Sequence, residues 1–159
     1  MRNDDAVAAA LARTRAWFAD GIAAQHPAGE IATCRLGVQL CDRALELPSG
    51  PLPERRRPIA GGRHADLWSL DVALAVALRG GDLAAVAALL RDAAASADAC
   101  ERPLIGWATS ALVAEQRPDG GFGSGGRDAP RPALTLTCAW ALAEVRCPGV
   151  TAQAQRTPA

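Results

Sequence analysis

Apolar residues recur every three or four positions in six separate segments of this chain, and this periodicity limits the possible folds more than any other feature. Prolines and glycines separate the segments, and none alternates apolar and polar residues as a strand would. The pattern predicts an all-α fold of helical hairpins with about six main helices. The first segment shows a single apolar face, made by Val7, Leu11, Thr14, Phe18 and Ile22. The predicted helices cover residues 5–22, 31–47, 65–78, 83–97, 102–116 and 133–145.

Several local signals place the ends of these helices. Asp4 or Asp5 could cap the first helix and Asp82 the fourth, while Pro103 suits a first helical turn. The third helix is apolar nearly all round, which predicts burial on several sides. At 159 residues the chain is long enough for one domain with a core. We therefore expect a single helical domain over residues 1–150 and a frayed polar tail over 151–159.

Charge and cysteine content exclude several classes of protein. The formal net charge is zero, and all 17 basic residues are arginine, so we expect no nucleic-acid partner. No run of about 18 apolar residues occurs, and no signal peptide is recognisable at the first residues, so we expect no membrane span. The five cysteines form no Cys-x-x-Cys pair. A cytoplasmic protein with reduced cysteines, some of them buried as small apolar side chains, is the expectation.

A short motif occurs twice. Residues 25–31 and residues 116–122 both read Gln-x-Pro-x-Gly-x-apolar, and each copy lies between two predicted helices. Their glutamines are 91 positions apart, which two hairpins of roughly 45 residues would fill. The spacing therefore predicts a degenerate helical repeat, with the third and fourth helices as the intervening hairpin.

The second copy, Gln-Arg-Pro-Asp-Gly-Gly-Phe-Gly from Gln116, resembles the Gln-Trp repeat of squalene–hopene cyclases and related strings in the prenyltransferase and squalene-cyclase superfamily. The resemblance implies a partial (α/α) toroid or arc. It also implies that Gln116, Gly120 and Phe122 hold helices together. Gln116 can bond the backbone of the turn or of the next helix, and the glycines permit the positive φ angles of a tight turn.

The sequence lacks the catalytic motifs of that superfamily. An Asp-x-Asp-Asp general acid is absent. Asp98 and Cys100 have the spacing of two zinc ligands in prenyltransferases, but both histidines lie upstream of them. We therefore predict no metal and no cofactor. Because the chain has room for about three hairpins, the arc would be open, and a homodimer is expected to cover its apolar side.

Candidate functional residues cluster at the start of the third helix. Asp71, Asp66 and His64 are the candidates for acid/base catalysis, since burial would keep a carboxyl such as Asp71 protonated and suited to a general acid. Alternatively, Asp71 fixes hairpin packing and His64 is a surface or capping residue. The candidates for substrate binding are Trp68, Trp107, Trp140 and Phe122. The tryptophans could equally be core residues.

Two functions follow from these residues. The first is a small terpene-cyclase-like protein of specialised metabolism that cyclises or isomerises an apolar substrate by acid/base chemistry. The alternative is a non-catalytic helical-repeat module that binds a protein partner or a lipid-like ligand. Fold alone does not separate the two.

Overall fold

The structure is a computed structural model, and it describes residues 3–24, 27–48, 67–95, 103–123 and 131–150. Every regular element in these ranges is a helix, which confirms the all-α prediction and the number of helices. The helices are α1 (Asn3–Ala23), α2 (Ala28–Ala44), α3 (Leu67–Gly80), α4 (Leu83–Ala94), α5 (Pro103–Ala114) and α6 (Arg131–Arg146). The predicted tail, 151–159, lies outside the described residues.

The ends of the helices follow local chemistry. The Asp82 carboxylate accepts a hydrogen bond from the Ala85 N–H at 3.0 Å and caps α4 as predicted. Pro103 is the first residue of α5, also as predicted. The capping prediction for α1 is wrong, because α1 begins at Asn3 and the two aspartates lie inside its first turn. There they still favour the helix by facing its positive end.

The bounds predicted for α2 need the largest correction. This helix begins directly after Pro27 and ends at Ala44, about three residues earlier at each end than the apolar stripe suggested. At the carboxyl end the Leu47 N–H bonds the Asp42 carbonyl at 2.7 Å, and Glu46 takes a positive φ of 57°. The chain therefore turns away before Leu47, and the side chain of Leu47 is exposed.

The six helices form two layers. One layer holds α1, α5 and α3, with α5 in contact with both neighbours. The other holds α2, α6 and α4, with α6 in the middle. Across the layers α1 packs on α2 and α3 packs on α4, while α5 also contacts α4 and α6 also contacts α1. The third hairpin, α5 and α6, therefore lies between the first two.

This order bears on the predicted arc. In a solenoid or an open arc each repeat contacts the repeats next to it in sequence. Here the first two hairpins are separated by the third, and the two helices of the third hairpin contact each other less than they contact their other neighbours. The all-α fold with six helices is confirmed, whereas the partial toroid is not and stays a prediction.

The core lies between the layers and depends on small residues. Gly37 of α2 sits against the ring of Phe18, and a Cβ added at Gly37 would lie 2.3 Å from that ring. Cys34, Cys41 and Cys138 are buried free thiols, as expected for small apolar side chains. Burial raises the pKa of Cys41 and of Cys138 to about 12. Among the described helices, none is long and apolar enough to cross a membrane.

Candidate functional site

The turn after α5 is fastened to α1 through the side chain of Gln116. Its Nε2 group lies 3.0 Å from the Gly120 carbonyl, 2.9 Å from the Ala10 carbonyl and 2.8 Å from the Thr14 hydroxyl. Its Oε1 atom accepts a bond from Arg13 Nε at 2.9 Å. The predicted bond from Gln116 to the backbone of the turn is therefore confirmed. The bonds to α1 were not predicted, because no local pattern shows which distant helix the turn meets.

Gly120 brings this turn close to α1. Its φ is 92°, and a Cβ added there would lie 2.4 Å from the Arg13 carbonyl oxygen. The Thr14 hydroxyl donates to the Gly120 carbonyl at 3.0 Å. Both the left-handed backbone and the short approach require glycine. The positive φ predicted for this turn is confirmed at Gly120.

Asp119 of this turn belongs to a charged cluster that also contacts α6 and α1. Arg131 pairs with Asp119 at 2.9 Å, and its guanidinium lies 5.2 Å from the ring centroid of Trp17. Burial acts to raise the pKa of Asp119. The bond from the Gly121 N–H and the bond and charge of Arg131 outweigh that effect, so the pKa is lowered. This cluster joins the turn to α6 and α1 and is a structural feature.

Phe122 completes this scaffold. Its side chain is fully buried, and its N–H donates to the Thr135 hydroxyl of α6 at 3.0 Å. The ring therefore contributes no exposed surface. The packing role that the resemblance implied for Phe122 agrees with this burial, while substrate contact stays a prediction.

Of the three predicted acid/base residues, the structure describes only Asp71. Asp71 lies on α3, half-buried, with its Oδ1 atom buried. His64 and Asp66 lie outside the described residues, so the structure does not show whether the three come together. Asp98 and Cys100, which have the spacing of zinc ligands, also lie outside the described residues. Within the described ranges no group of three His, Cys, Asp or Glu side chains could hold a metal ion.

The tryptophans lie in different surroundings. Trp140 on α6 is half-buried beneath the Arg91 guanidinium, which lies 5.7 Å from its ring centroid. Trp107 on α5 has 70% of its surface exposed. Trp68 belongs to α3, at its second residue. Because Phe122 is buried and Trp107 faces solvent, these two rings do not line one surface.

Three large apolar side chains on α3 and α5 are exposed. Val72 and Val76 are 46% and 66% exposed, and they project from α3 opposite its buried residues Leu70 and Leu74. The prediction that α3 is buried on several sides is therefore wrong for these valines. Trp107 projects from α5, the neighbouring helix of the same layer. We call this region the outer α3–α5 surface. Its exposed residues are Val72, Ala75, Val76, Pro103, Trp107, Ser110 and Ala114.

The seven described residues that define the outer α3–α5 surface are uncharged, and Arg79 is exposed one turn beyond Val76 on the same side of α3. The whole of α5 has no charged residue, whereas α1, in the same layer, exposes Arg13 and Asp20. Among the described residues, the exposed charges on or next to these two helices are at their carboxyl ends, namely Arg79, Asp82, Glu115 and Arg117. A helix that lies at the surface ordinarily carries charged residues on its outer side. The missing charges on α5 were readable from the sequence, but which side of the helix faces outward was not.

Comparisons of the chain with protein-family models, with curated proteins and with solved structures found no match. The resemblance to the squalene-cyclase repeat therefore rests on the motif at Gln116 alone.

Proposed function

We propose that this protein is a helical interaction module whose outer α3–α5 surface binds another protein chain. The observation that carries the proposal is the exposure of Trp107 at 70% on a helix without a single charge. Large apolar side chains exposed on neighbouring helices are a feature of interaction sites in soluble proteins. Tryptophan is also among the residues that most often anchor protein interfaces.

The physical reason is the cost of leaving these side chains in water. Val72, Val76 and Trp107 would each gain from burial, at roughly 25 cal/mol for every Å² of apolar surface removed from water. No charged group on the surface would have to be desolvated in that process. The described part of the surface therefore suits an apolar protein surface.

Photo-crosslinking in the cells that produce the chain tests this proposal. A photoreactive phenylalanine analogue at position 76 should give covalent adducts that mass spectrometry can identify. The matched control carries the same analogue at position 12, since Ala12 is exposed on α1 in the same layer. Equal yields of adducts at the two positions would contradict the proposal.

A second candidate function is the acid/base enzyme with an apolar substrate. The burial of the Asp71 Oδ1 atom on the apolar helix α3 is the observation that favours it. Incubation with squalene, the substrate class that the resemblance implies, should then give a cyclic product with the natural chain. An Asp71→Asn variant that folds should give none. Turnover that survives this substitution would remove Asp71 from the reaction, and a natural chain without product would count against the enzyme. A cytoplasmic location accompanies either function as a prediction from composition.

A further inference from the structure

We draw no further inference here: the strongest candidate, the outer α3–α5 surface around the exposed Trp107 ring, belongs to the site already described, and nothing in the structure shows what covers it.

Discussion

At the scale of single residues, the turn after α5 is held by a glutamine and a glycine that act together. Gln116 reaches from the turn to the Ala10 carbonyl and the Thr14 hydroxyl of α1, which lie more than one hundred positions earlier in the chain. Gly120 makes that reach possible, because only a residue without a side chain can approach the Arg13 carbonyl so closely. These residues stabilise the scaffold, and none of them contributes to the outer α3–α5 surface.

We expect Gly120→Ala to destabilise the protein much more than Gly81→Ala. Both glycines have positive φ, 92° and 69°, so both substitutions introduce backbone strain of about 1 kcal/mol. At Gly81 nothing lies within 4 Å of the added Cβ, whereas at Gly120 it would lie 2.4 Å from the Arg13 oxygen. The second substitution must also shift the turn or α1, for a total of about 3 kcal/mol or more.

Urea denaturation of the two variants and the natural chain measures this difference. Gly81→Ala is the control, since it carries the φ strain without the steric contact. Equal losses of unfolding free energy would show that the close approach of the turn to α1 is wrong.

At the scale of the elements, pairs of helices pack closely because small residues face large ones. The α1 and α2 pair is the clearest case, with Gly37 of α2 against the fully buried Phe18 ring of α1. The Arg15 guanidinium of α1 also pairs with the Asp42 carboxylate of α2. The apolar contact fixes how near the two helices lie, and the ion pair adds a charged contact between them.

Gly37→Ala should therefore be destabilising although alanine favours helices. The added methyl group would lie within 2.5 Å of three ring carbons of Phe18, a fully buried side chain. We expect a loss of about 1–3 kcal/mol, typical of overpacking in a core. Gly106→Ala on α5 is the matched control. Nothing lies within 4 Å of its Cβ, and the substitution should be neutral or stabilise by up to about 1 kcal/mol.

Thermal melting of both variants distinguishes these effects. A Gly37→Ala variant as stable as Gly106→Ala would show that α1 and α2 lie farther apart than the structure has them.

The sequence was sufficient to predict the elements but not their arrangement. Apolar periodicity located all six helices, and the capping residue Asp82 and the first-turn Pro103 were read correctly. It could not show that α6 packs between α2 and α4, because an apolar stripe does not specify its partner. It also could not separate Trp107 from Phe122. Trp107 lies in an apolar helical segment and Phe122 in a glycine-rich loop, yet Trp107 is 70% exposed and Phe122 is fully buried.

At the scale of the whole molecule, the two layers separate the core from the outer α3–α5 surface. The three thiols Cys34, Cys41 and Cys138 lie in the layer formed by α2, α6 and α4, and all are buried. The uncharged surface lies on the opposite layer. Stability and the proposed binding therefore depend on different residues and can be tested separately.

The reactivity of the buried thiols tests how tightly the core is packed. At pH 8 the thiols of Cys41 and Cys138 should stay protonated, because their pKa is about 12, and burial should also block a reagent. Iodoacetamide added to the folded protein should therefore modify the half-buried Cys147 well before Cys41 and Cys138. Peptide mass spectrometry measures the order, and denaturant should make the rates similar. Modification of Cys41 as fast as Cys147 in the folded protein would contradict the packing of α2 and α6.

The most direct test of the central claim, that the outer α3–α5 surface is a binding surface for another protein chain, is fluorine NMR of the chain labelled with fluorotryptophan. Trp107→Phe assigns the resonance of Trp107 by its absence. In dilute protein this resonance should show the large solvent isotope shift of a side chain that is 70% exposed. In a concentrated extract of the cells that produce the chain, the account predicts that this isotope shift falls while that of Trp17 is unchanged. A Trp107 resonance that keeps its full isotope shift in that extract would contradict the account.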